Sequence, residues 1–386
     1  MKNKLQVGTP AGEKMNLRNY GIDLLRIISM VMVCNLHILW NGGVLYNVVP
    51  FSINYNVAWF LEVICYCAVD CYGLISGYCL INNSNSQALL DFKYSRIFKL
   101  WAQVFFYCLL FTFIFLLIPS LNIFLTEDLK RVDFSYLKTY SNMIRHIFPI
   151  LGNCYWYFSA YFGLFFLIPF LRIFLNHLSY KEYTQLVFVI FFFVLLEMLP
   201  GSDLLNFENG YSFVWLVLLF ILGGYFKLYG ENIQIKNKIL MICFLCSNGL
   251  VLLSILITHK VWFVNYVSPF IILNAICLLV IFSRLKVSEK LGRIITCLGG
   301  LSFGVYLIHV NPLIWNIYTD KFKFLATGNP IVLVFSALGI SVAMYIVCSG
   351  VDALRSLIFK ILRIDLLTKK LCRIEDRIKI RFYNYE

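Results

Sequence analysis

An arginine and a histidine eleven residues apart, Arg26 and His37, stand in the apolar stretch "GIDLLRIISMVMVCNLHILW" at 21–40. At about 100° and 1.5 Å per residue the two fall on one stripe of a helix, about 16 Å apart along it. A guanidinium holds anionic oxygens through charge-assisted hydrogen bonds. An imidazole, whose ordinary pKa is about 6.5, can take a proton at neutral pH. A helix with both on one face could grip a long anionic molecule at one end and move a proton at the other.

Other polar residues sit where the sequence makes them costly. Asp70 lies mid-way along an apolar run, where an acid costs about 2.5–3.5 kcal/mol and is too short to reach either surface, so it requires a partner. Glu62, eight residues earlier, falls roughly on the same helical face. His309 in "LSFGVYLIHVNP" is a second histidine inside an apolar run. Blander readings exist for each: Asp70 and Glu62 could simply pair helices, and a lone histidine usually makes one interhelical hydrogen bond. Arg26 could snorkel to a nearby surface. The sharing of one face by Arg26 and His37 is what favours chemistry. His146, His177 and His259 fall between runs, and Asp23 suits the positive start of a helix.

Familiar catalytic and metal patterns are missing. There is no glycine-rich phosphate loop, no Gly-x-Ser-x-Gly elbow and no His-Glu-x-x-His pair. Most of the thirteen cysteines lie in apolar runs as small hydrophobes. Cys243 and Cys246 have redox spacing but no partner pair. Neither a metal nor a permanently bound cofactor is expected, so any catalysis rests on the groups within the apolar runs.

Those runs fix the fold class. The 386 residues are 60% hydrophobic and 14% charged, with mean hydropathy +0.78. A soluble core of this size could not bury so much apolar surface. The chain reads as an all-α, polytopic integral membrane protein with about ten transmembrane helices, near 21–41, 57–81, 98–118, 150–175, 183–200, 211–229, 239–258, 262–283, 294–318 and 330–350. With the N-terminus cytoplasmic, the inner segments collect 25 Lys and Arg and the outer ones 7, Arg26 lying within a span. That bias predicts both termini on the cytoplasmic side of the cell membrane. It also accounts for the +13 charge through anionic lipid, with no nucleic-acid partner. The domains expected are a tail at 1–20, a membrane domain at 21–350 and a basic amphipathic tail at 351–386. The long outer loop at 119–149, with Phe134, Tyr136 and Tyr140, is apolar enough to fold over a site.

Several stretches, in order, resemble the membrane acyltransferase-3 family. "IDLLRIISMVMVCNLH" resembles its opening helix, with an Arg and a His separated by ten residues, and "AVDCYGLISGY" its second-helix signature. "YSRIFKLW" is similar to its basic third-helix start, although here Arg96 is flanked by Lys93 and Lys99 where the family carries more arginines. "CYWYFSAYFGLFFLIPFLR" resembles its Trp-aromatic fourth helix and "LSFGVYLIH" its late Ser-Tyr-His stretch.

The resemblance implies transfer of an acetyl or other small acyl group from cytoplasmic acyl-CoA to hydroxyls of a surface glycan or its lipid-linked precursor. It implies His37 and Asp70 as catalytic and Arg26, Lys93, Arg96 and Lys99 as donor-phosphate ligands. Glu62, Trp156, Tyr306 and His309 would contact substrate. Direct transfer and a transient acyl-histidine are both open. Any esterase-like extracytoplasmic partner would be a separate chain. Arg26, His37, Asp70 and Arg96 are expected to converge on one cavity open to the cytoplasm. The different-class alternative is a transporter or flippase for a lipid-linked glycan, which also needs aromatic walls and a midplane acid, although no inverted repeat is visible. A glycan polymerase would want more outward arginines.

Overall fold

A computed structural model describes residues 18–81, 92–117, 144–145, 147–152, 155–199 and 203–383. The described residues are helical with no strand. The long elements are α1 (Tyr20–Trp40), α2 (Ile53–Tyr66), α3 (Ala68–Leu80), α4 (Ile97–Leu117), α5 (Trp156–His177), α6 (Tyr180–Glu197), α7 (Phe213–Tyr229), α8 (Asn237–Thr258), α9 (Pro269–Ser283), α10 (Glu289–His309), the short α11 (Pro312–Tyr318), α12 (Pro330–Ile361) and α13 (Ile364–Tyr383).

Their starts are written in short polar residues. The Asn19 side chain accepts from the N–H groups of Gly21 and Ile22, Ser52 from Tyr55 and Ser212 from Trp215. Ser179 and Glu182 form a reciprocal capping box at α6. Each satisfies N–H groups that a helix start leaves open. Pro269 and Pro330 open α9 and α12, where a missing N–H costs nothing.

Among the described residues eight helices are long and apolar enough to cross a membrane, α2 and α3 counting as one unit of 28 residues. Two of the ten expected spans differ from these. α6 carries Lys181, Glu182 and Glu197 within its 18 residues, and α9 is a shorter apolar helix of 15 residues. Two boundaries also move. The second span begins at Ile53 rather than 57 and breaks at Cys67, and α12 continues past 350 to Ile361. Most of the expected outer loop, Phe134, Tyr136 and Tyr140 included, lies outside the described residues.

Neighbouring ends show the alternation of the helices. Asn19, before α1, donates to the carbonyl of Ser283 at the end of α9 (2.7 Å), and Thr296 in α10 donates to Asp23 (3.0 Å). At the opposite end Asn41, after α1, donates to the carbonyl of Trp315 (3.0 Å). α3 and α7 cross in backbone contact: a Cβ on Gly77 would sit 1.9 Å from the Phe220 carbonyl oxygen, and one on Gly223 2.0 Å from that of Leu74. Only glycine permits this approach, the usual way apolar helices gain dispersion energy where lipid is as apolar as leucine. A second tie is polar. Buried Asp352 of α12 accepts from Gln103 (3.0 Å) and Tyr107 (2.8 Å) of α4 and from Arg355 (3.0 and 2.9 Å). The two largest apolar clusters among the described residues lie around α3, α7 and α9 and around α1, α4, α10 and α12. Between them lies a chamber.

Candidate active site

α1 supplies one wall of that chamber and presents Arg26 and His37 to it, as the eleven-residue spacing requires. Asp23, one turn before Arg26, gathers Arg26 (2.7 Å), Arg18 and Thr296. Arg26 is thereby charge-compensated on its own helix while its Nη2 lies 4.0 Å from Cys79 across the chamber. Tyr72 of α3 donates to the Arg26 carbonyl oxygen (2.6 Å) and fixes that turn of α1 against α3.

At the other end His37 Nδ1 lies 3.0 Å from His309 Nε2, and His309 Nδ1 lies 2.6 Å from the Val305 carbonyl oxygen. The order of protons follows from the last acceptor. A carbonyl oxygen only accepts, so His309 Nδ1 carries a hydrogen. In the neutral pair His309 Nε2 is then an acceptor and His37 Nδ1 must donate to it. His37 Nε2 is left with a free lone pair, the arrangement a general base or nucleophile needs. Trp315 packs edge-on against His37 with centroids 4.7 Å apart. The end of α10 is held in turn: Tyr155 donates to the Leu307 carbonyl (3.0 Å), Asn311 to Tyr155 Oη (3.0 Å), and Tyr318 to the His309 carbonyl (3.3 Å).

The chamber encloses about 850 Å³ between α1, α2, α3, α5 and α10. Its volume lies within the range of small-molecule sites. Exposed residues border it at both ends, Cys79 and Gly300 near Arg26, and Trp40 and Val261 near His37. Among the described residues Arg26 is the single Lys or Arg that lines it.

Of the residues singled out in the sequence, Arg26, His37, Glu62, Trp156 and Tyr306 line this chamber together. His309 is fully buried behind His37 and reaches the chamber only through it. The expected convergence of four groups is corrected at two of them. Asp70 is fully buried outside the chamber wall, its Oδ1 accepting from Trp215 Nε1 of α7 (3.1 Å). The break at Cys67 separates α2 from α3 between Glu62 and Asp70, and the two acids face different neighbours. Arg96 is exposed, one turn before Leu100, which does line the chamber. Lys93 and Lys99 pair with Asp376 and Asp365 of α13, Lys99 at 3.1 Å.

Several residues in this network carried no sequence signal. Tyr155 and Asn311 enter only through the end of α10 beside His309, Trp315 through its ring against His37, and Trp215 through Asp70. The short distance from His309 to Asn311 was the one available hint. Among the described residues no group of His, Cys, Asp and Glu could hold a metal ion.

A family model described as an acyltransferase domain, that of the acyltransferase-3 family, matches residues 19–349, which contain every described residue lining the chamber. No curated protein and no solved structure matches the chain at a significant level.

Proposed function

Because the chain belongs to the acyltransferase-3 family and is thus a membrane acyltransferase, we propose that its chamber moves an acetyl or similarly small acyl group from acyl-CoA to a hydroxyl of a glycan or lipid-linked glycan precursor. The observation that carries this reading is Arg26 and His37 on one stripe of α1, opening on one chamber, with His37 Nδ1 engaged by His309. A cofactor with phosphates at one end and a thioester at the other matches that separation of about 16 Å.

In this reading Arg26, with Arg96 one turn outside the chamber, holds the phosphates. Lys93 and Lys99 already have carboxylate partners on α13 and contribute less. The thioester lies beside His37. The acceptor hydroxyl attacks the thioester carbon while its proton passes to His37 Nε2. A carbon–oxygen bond forms, the carbon–sulfur bond breaks, and the imidazolium returns its proton to the CoA thiolate. A transient acyl group on His37 would use the same lone pair. Asp70, outside the chamber lining, serves by holding α3 on α7 through Trp215.

The 25-to-7 excess of Lys and Arg supports a cytoplasmic Arg26 end in the cell membrane, with the acceptor arriving at the His37 end from outside. Transfer would then run across the bilayer. The test is the O-acetyl content of surface glycans, read by NMR before and after mild base, in cells with the chain, without it, and with His37→Ala. The expected result is base-labile acetyl only with the intact chain. Glycan export lost with acetylation unchanged would favour the transporter or flippase reading.

A further inference from the structure

Two side chains at the His37 end of the chamber carry polar atoms with no hydrogen-bond partner. Glu62 is 5% exposed and its Oε2 is unpaired; Trp59, three residues earlier on the same face of α2, has a buried Nε1–H that is also unpaired. Both line the chamber. Native proteins rarely leave such atoms unsatisfied, because the lost bonds to water are not replaced. A molecule entering the chamber with matching polar groups can replace them.

The two atoms differ in kind, and that restricts the molecule. Glu62 Oε2 accepts when ionised and Trp59 Nε1 only donates. An ammonium would satisfy Glu62 and leave Trp59 unpaired. An anion would satisfy Trp59 but face Glu62, and among the described residues the one lining cation, Arg26, lies at the far end. A hydroxyl donates and accepts, so neighbouring hydroxyls on one ring serve both. Beside them Tyr66, Tyr266, Tyr211 and Trp156 form a continuous aromatic wall, with centroids 4.8, 5.1 and 4.7 Å apart in that order. Such a wall suits the C–H face of a saturated ring and gives it orientation without charge.

We propose that Glu62 and Trp59 form a hydroxyl-binding subsite that makes an uncharged, polyhydroxylated ring the preferred acyl acceptor, holding the hydroxyls beside the one presented to His37. The proposal rests on the acyl-transfer reading above and adds the residues that select the acceptor. Arg26 and His37 would serve any acceptor; Glu62 and Trp59 discriminate among them.

The test uses the full chain in nanodiscs with labelled acetyl-CoA and three acceptors: methyl glucoside (neutral), methyl glucosaminide (cationic) and methyl glucuronide (anionic). The wild-type chain should prefer the neutral glycoside. Glu62→Gln and Trp59→Phe should each raise its KM about tenfold or more, the scale of one lost hydrogen bond to a buried group. The KM for acetyl-CoA should stay unchanged, which also reports that the variants fold. Trp59→Phe keeps the ring and removes the donor, so it stands if Glu62→Gln fails to fold. Preference for the glucosaminide that disappears in Glu62→Gln, or acceptor KM values unchanged in both variants, would overturn the subsite. A wild-type chain that turns over no acetyl-CoA overturns the acyl-transfer reading instead. The subsite is then judged by binding of the same three glycosides to the same protein by thermal shift, and no preference for the neutral one refutes it.

Discussion

In the proposed reaction His37 depends on a residue that never reaches the chamber. His309 is buried, its Nδ1–H is committed to the Val305 carbonyl, and its remaining lone pair fixes the tautomer of His37. His309→Ala should therefore lower kcat by about 100-fold or more, the usual worth of a positioned general base, with the acyl-CoA KM unchanged. His309→Gln, which can still offer an acceptor, should recover part of the loss in steady-state assays, and a purely structural His309 would show no such recovery. Arg26→Ala should do the reverse. Phosphate contacts are equal in ground and transition states, so the donor KM rises while kcat holds. Equal loss of donor binding in His37→Ala and Arg26→Ala would contradict this division. Arg26 and His37 were legible in the sequence because a helix period relates them directly. Asp70 was misplaced because its partner, Trp215, is 145 residues away.

Between elements, two contacts decide whether the wall of the chamber holds. The α3–α7 crossing tolerates no side chain at Gly77 or Gly223. Gly77→Leu should destabilise the protein by at least the 1–3 kcal/mol typical of overpacking, seen as a lower unfolding temperature in detergent. The other contact is α13 against the start of α4, where Glu375 accepts from the N–H groups of Tyr94 and Ser95 (both 2.9 Å) and pairs with Lys379 (2.8 Å). Partial burial acts to raise the Glu375 pKa. The Lys379 ammonium and the two N–H groups outweigh it and bring it down to about 2 from the ordinary 4.5. A depressed carboxyl stabilises docking above its free value and loses that contribution as pH falls from about 4.5 toward 2. Hydrogen exchange at Tyr94 and Ser95, corrected for intrinsic rate, should accelerate in that window, and Glu375→Gln should show the same acceleration at pH 7. Exchange independent of pH in the wild-type chain would refute the role of Glu375. The amphipathic pattern of 351–386 was visible in the sequence, but its acidic side gave no sign of which helix it would cap.

For the whole molecule, charge bias and helix alternation together predict sidedness. In a chain whose exposed native cysteines are replaced, Ser288→Cys, at the start of α10, should react with a membrane-impermeant thiol reagent only after permeabilisation. Ser141→Cys, in the expected outer loop, should react in intact cells. The reverse pattern would invert the protein and remove transfer across the bilayer. By itself the sequence determined what depends on local period and composition: helices, the membrane environment, the Arg26–His37 stripe and the ordered motifs of the family. These survive because apolar runs and a 3.6-residue repeat need no knowledge of neighbours. The tertiary structure alone decided which polar groups share a chamber. It brought His309 onto His37 across 272 residues, turned Glu62 inward and Asp70 onto α7, and gave Lys93 and Lys99 to α13. Such pairings depend on the rotation of one helix against another, which is set by close packing at glycines and by buried hydrogen bonds between segments far apart in the chain.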